Sequence, residues 1–88
     1  METLVVLRRF VDLLDSVADG AVSGPDALKS WGDPNNLPRV GTVSRGWEAL
    51  IHYAEDDDIR ERDRAYADAQ VRELRVAAQK IRKKYGLT

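Results

Sequence analysis

Apolar and polar positions repeat with a helical period in four segments of the chain, and no strand is predicted. In the first segment, from about Thr3 to Asp19, a turn of ~100° per residue gathers Leu4, Leu7, Phe10, Val11, Leu13, Leu14, Val17 and Ala18 on one half of the cylinder. Arg8, Arg9, Asp12, Asp15, Ser16 and Asp19 fill the other half, and only Val5 is out of place. So wide an apolar face predicts the central helix of a bundle, stopped by Gly20. The second segment, about 25–31, is short. Pro25 takes its first helical position, Asp26 lies in its first turn, Leu28 and Trp31 share a face, and Gly32-Asp33-Pro34 ends it. From Gly32 to Gly41, two prolines and two asparagines predict an irregular loop. Its two readings are a binding loop, or a cap in which Leu37 and Val40 fold onto the core under Trp31.

The third segment, about 42–55, has Thr42 as its expected N-cap and a stripe of Val43, Trp47, Leu50, Ile51 and Ala54. The fourth runs from about Ile59 to Tyr85, with Gly86 as the stop. The stripe of Ile59, Tyr66 and Leu74 is out of phase with the third segment, so one straight helix cannot bury both. The break is expected within Glu55–Asp58, where Asp58-Ile59-Arg60-Glu61 reads as a capping box. From Ala67 on, Ala67, Val71, Leu74, Ala78, Ile81 and Tyr85 are spaced 4, 3, 4, 3, 4, as in a heptad seam. A weaker stripe of Ala65, Ala69 and Val76 lies on another face.

The expected fold is therefore all-α: a small bundle of three main helices (about 3–19, 42–55 and 59–85) plus one short helix (about 25–31), the C-terminal helix longest, in a single domain over 1–88. At 1.5 Å per residue the fourth helix spans roughly 40 Å and the first roughly 25 Å. The C-terminal helix is thus expected to overhang, leaving its seam without cover inside the chain.

Composition narrows the chemistry. The 88 residues contain no Cys, which removes disulfides, thiolate metal sites and Cys nucleophiles. No run approaches the ~18 apolar residues of a membrane span. The apolar opening precedes Arg8 and Arg9, the reverse of a signal peptide, so a cytoplasmic location is expected, with no membrane partner. Ten Arg against four Lys suit a GC-rich bacterial or phage genome. The net charge of −1 favours neither nucleic acid nor an anionic membrane, but its distribution is uneven. Residues 55–71 carry seven acidic and three basic groups, and residues 72–88 six basic and one acidic.

Four constellations carry candidate chemistry. Glu48, His52 and Asp56 stack on one helix face at i, i+4, i+8, a column that could bind a divalent metal but that faces away from the apolar stripe. It reads better as a solvated face, so no metal or cofactor is expected. Asp63 falls on the apolar side, where a carboxylate needs a partner such as Arg8 or Arg9, and Gln70 shares that face. Ser16, Ser23, Ser30 and Ser44 lack a Gly-x-Ser-x-Gly setting, there is one His, and no phosphate loop follows a strand, so no catalytic residue is assigned and no enzyme is expected. Arg72, Arg75, Lys80, Arg82, Lys83 and Lys84 could track a phosphate backbone. Acid at the start of a helix and base at its end is also what the helix dipole favours.

The leading expectation is a non-catalytic protein-interaction module, a small bacterial or phage adaptor, inhibitor or assembly subunit. It would present Val71, Leu74, Ala78, Ile81 and Tyr85 to a protein partner or to a second copy of itself. The alternative is a nucleic-acid binder using the basic end of the same helix.

Overall fold

The computed structural model describes residues 3–87. The elements in chain order are α1 (Thr3–Ala18), α2 (Gly24–Trp31), a 3-10 turn (Pro34–Asn36), α3 (Gly41–Glu55), α4 (Asp57–Arg62) and α5 (Arg64–Tyr85). The fold is the expected all-α bundle with the C-terminal helix longest.

The central helix is α5 and not α1 as the wide apolar face of the first segment suggested: α5 is packed against α1 on one side and α3 on the other, while α2 lies on α3. α5 runs antiparallel to both neighbours. Its Arg82 meets Asp12 and Asp15 of α1 while its Arg75 meets Asp19. Its Ile81 lies beside Gly46 of α3, while its Gln70 reaches Asp56 just past the end of α3. One end of the molecule therefore collects the starts of α1 and α3 and the end of α5. The opposite end collects the last turns of α1 and α3, all of α4 and the start of α5.

Leu7, Phe10, Leu14, Leu50, Leu74 and Ile81 are fully buried, and Val6, Val11, Val17, Val43, Ala78 and Leu87 join the same apolar cluster. Burying each large side chain contributes about 1.5–3 kcal/mol. Ser23 caps α2, accepting from the backbone N–H of Asp26 at 3.2 Å; the helix starts at Gly24, one residue earlier than expected, so Pro25 takes its second position and not its first. α5 stops at Gly86, whose φ of 66° is the left-handed cap. The backbone N–H of Leu87 then donates to the carbonyl of Arg82 at 2.9 Å, and the Leu87 side chain folds into the core.

Several local expectations change. Leu4 sits at the rim of the buried arc of α1, in the first turn, and is 49% exposed; Val6 is buried instead. On α3 the buried face includes Gly46 and Ala49, while Trp47, Ile51 and Ala54 are only partly covered. A Cβ on Gly46 would stand 3.2 Å from both Ile81 Cδ1 and Phe10 Cε2, so the missing side chain lets α3 approach α1 and α5 closely. α3 begins one residue early, with Val40 as N-cap and no side-chain capping bond, so Thr42 does not cap it. The loop contains a 3-10 turn that Asp33 caps, accepting from the N–H of Asn35 at 2.9 Å. Two prolines and two asparagines do not forbid a single turn in which Pro34 takes a first-turn position.

The break between third and fourth segments falls at Asp56, inside the expected window, but the Asp58–Glu61 capping box does not form. A second break at Asp63 divides the segment 59–85 into α4 and α5. Asp63 is extended (φ −135°, ψ 101°), and its Oδ1 accepts from the N–H of Tyr66 at 3.1 Å. It is an exposed N-cap, one of the residues best suited to that role, and not a paired acid on an apolar face.

Candidate functional site

The seam expected to face a partner lies mostly inside the molecule. Leu74, Ala78 and Ile81 are fully buried, and Val71 and Tyr85 are half-buried. The overhang that motivated that expectation is absent at the C-terminal end, because α1 starts far enough along to cover it and the break at Asp63 shortens the helix. A 4-3 spacing over less than three heptads suits the core face of a globular helix as well as a coiled coil.

The basic tail is divided. Arg82 Nη2 lies 2.5 Å from Asp15 Oδ2 and 3.7 Å from Asp12 Oδ1, and Arg75 Nη2 lies 2.5 Å from Asp19 Oδ1. These ion pairs join α5 to α1; the Asp19 carboxylate pushes the Arg75 guanidinium further above its already high range. Arg72 lies on the flank of α5 near Asp19, away from the end of the helix. Lys80, Lys83 and Lys84 are exposed and take part in no salt bridge among the described residues.

The column of Glu48, His52 and Asp56 does not act as one unit. Arg45, Glu48 and His52 line the α3 side of a groove of about 250 Å³ between α3 and α5, with Glu73, Val76 and Lys80 across it. Asp56 turns into a polar joint between α3, α4 and α5. Among the described residues no three His, Asp or Glu side chains come together as metal ligands.

That joint is the feature the sequence reading missed. Asp56 Oδ2 accepts from the Tyr66 hydroxyl at 2.6 Å and from Gln70 Nε2 at 3.0 Å. Gln70 Oε1 accepts from Arg60 Nη1 at 2.9 Å; the same guanidinium donates to the carbonyl of Tyr53, lies 3.5 Å from the centre of its ring, and meets Asp57 at 3.0 Å. Gln70 is only 6% exposed and the Arg60 side chain only 9%, and no buried side-chain polar atom among the described residues lacks a partner. Donating to the Asp56 carboxylate, together with burial, pushes the Tyr66 hydroxyl above its ordinary value. The sequence pattern puts Gln70 on the buried face with Asp63, but its partners are Asp56 and Arg60. They lie 14 and 10 residues away across two helix ends, where no periodicity connects them.

The loop acts as a cap. Leu37 is buried and Val40 half-buried. Trp31 packs edge-on against Phe10 with ring centres 5.3 Å apart, donates from Nε1 to Asn36 Oδ1 at 3.0 Å, and carries the Arg9 guanidinium 5.2 Å from its ring centre.

The feature left on the surface is a separation of charge along the 40 Å long axis. The end built from residues 3–15, 33–48 and 80–87 carries eight Arg and Lys against Asp12, Asp15, Asp33 and Glu48, a net of +4. The end built from residues 16–24 and 50–75 carries nine Asp and Glu against five Arg, a net of −4. Each end also exposes large apolar side chains: Leu4 and Val5 (49% and 55% exposed) at the basic end, and Ile59 (40%) at the acidic end. The sequence showed this polarity only within the last helix; the antiparallel packing adds Arg8, Arg9, Arg39 and Arg45 to the same end as Lys80, Lys83 and Lys84. No helix among the described residues is long and apolar enough to cross a membrane.

Compared with known proteins, the chain matches no family model, no curated protein and no solved structure.

Proposed function

We propose that the chain is a non-catalytic protein-interaction module, a small adaptor, inhibitor or assembly subunit working in the cytoplasm of a bacterium or of a phage-infected cell. The observation that carries this reading is the charge separation, with exposed Leu4 and Val5 at one end and Ile59 at the other. Complementary charge steers and orients protein partners, and apolar side chains within a polar rim supply contact area. The contact surface moves from the buried seam of α5 to the ends of the bundle. Covalent cross-linking in the native host, followed by mass spectrometry, tests it. The wild type is expected to capture a defined polypeptide that is lost with Arg8→Gln/Lys83→Gln/Lys84→Gln or with Glu55→Gln/Asp58→Asn/Glu61→Gln. Capture that neither set of substitutions changes would overturn the reading.

The nucleic-acid reading keeps one observation in its favour: Arg8, Arg39 and Arg45 join Lys80, Lys83 and Lys84 at one end of the molecule. It predicts duplex binding that weakens steeply with salt and falls about equally on all sequences when Lys83 and Lys84 are neutralised. Arg75 and Arg82, already paired with acids of α1, would contribute little. Absence of a band shift at low salt removes this reading.

A further inference from the structure

We infer that the partner of each end is the opposite end of a second copy, so that the chain associates head to tail. This rests on the protein-interaction reading above and names the partner. The net charges of +4 and −4 match in size and oppose in sign. The charges that hold α1 to α5 (Asp12, Asp15 and Asp19 with Arg75 and Arg82) are already engaged within the chain. Arg8, Lys83 and Lys84 at one end, and Glu55 and Glu61 at the other, are exposed and take part in no salt bridge among the described residues.

The symmetric end-to-end alternative is disfavoured by the same charges. A two-fold dimer through either end sets like charge against like, whereas a head-to-tail contact sets unlike against unlike and places Leu4 and Val5 against Ile59. A head-to-tail contact does not close on itself unless its rotation forms a ring, so it can propagate. Its size bounds its strength. A 24 × 22 Å cross-section offers roughly 500 Å² on each partner, which places the contact at the weak, transient end of specific interfaces. Association is therefore expected to depend on concentration and to be suppressed by salt, as the screening length falls from about 30 Å at 0.01 M to about 8 Å at 0.15 M.

Sedimentation velocity on the full chain and two triple variants tests this. Arg8→Gln/Lys83→Gln/Lys84→Gln neutralises the basic end, and Glu55→Gln/Asp58→Asn/Glu61→Gln the acidic end; circular dichroism checks that both remain helical. At low salt the wild-type mass is expected to rise with concentration beyond a dimer and to return to monomer at high salt. Each variant alone is expected to stay monomeric, and their equimolar mixture to stop at a 1:1 dimer, since only one intact pair of ends remains. A wild type that is monomeric at every concentration, a variant that associates as the wild type does, or a mixture that stays monomeric would overturn the inference. A monomeric wild type that shifts a short DNA duplex at low salt would overturn it in favour of the nucleic-acid reading. If the wild type is monomeric yet captures a different host protein through the same residues, the head-to-tail pairing fails and the interaction module stands. If it does neither, both fail.

Discussion

From Leu74 to Leu87, the C-terminal stretch is held by apolar burial, with Leu74, Ala78, Ile81 and Leu87 in the core and ion pairs only along the rim against α1. From Arg64 to Gln70, the same helix packs through small side chains and hydrogen bonds, with Tyr66 and Gln70 tied to Asp56 and Arg60. The first region gains by removing surface from water and tolerates other apolar side chains of similar volume. The second gains little net energy per bond, but loses much when one partner is removed, because the others stay desolvated. Similar helical periodicity thus conceals two modes of packing, one insensitive to direction and the other fixed by geometry.

Truncating the core should have the largest effect. Leu74→Ala is expected to cost about 2–5 kcal/mol, read as a lower midpoint in urea unfolding. A cost under 1 kcal/mol would mean that the seam is less buried than described. Arg60→Ala removes the donor to Gln70 and to the Tyr53 carbonyl, and should cost about 1–3 kcal/mol. A double-mutant cycle with Gln70→Ala should show clear coupling; simple additivity would mean that the polar joint contributes only packing. At the rim of the apolar half, a cycle between Asp15→Ala and Arg82→Ala should give under about 1 kcal/mol, because the pair is partly exposed, and should shrink further in salt. The smallest effect is seen only at alkaline pH. The Tyr66 hydroxyl titrates above its usual range in the folded chain, so its contribution is intact below about pH 10 and is lost as pH rises through the higher folded value. Tyr66→Phe should make the loss of stability above pH 10 shallower, as followed by circular dichroism; an unchanged slope would detach Tyr66 from Asp56.

The apolar half was legible in the sequence because burial writes itself into periodicity. Leu7, Phe10, Leu14, Leu50, Leu74 and Ile81 follow from spacing alone, and Gly20 and Gly86 mark where helices stop. Gly46 was not legible, because its contribution is the absence of a side chain, and only the placement of Phe10 and Ile81 reveals it. The break at Asp63 was within reach: an aspartate three residues before Tyr66 is a plausible cap, but its angular position among apolar residues disguised it as part of a helix. The seam was read correctly as apolar and wrongly as uncovered, since a heptad spacing does not say which chain supplies the cover. Charge polarity was visible in fragments, and only the antiparallel arrangement of α1, α3 and α5 assembled them into two ends.

The polar joint and the α1–α5 ion pairs also differ in how much chain they enclose. The joint closes between residues 7 to 14 positions apart, whereas Asp19–Arg75 and Asp15–Arg82 span 56 and 67 positions. Short loops close at little entropic cost, and long-range contacts are expected to form late. The expected order of folding is therefore α3, α4 and α5 first, with α1 docking last and converting a local hairpin into a closed bundle. Substitutions at Arg60 should then slow refolding, while those at Asp15 should mainly speed unfolding.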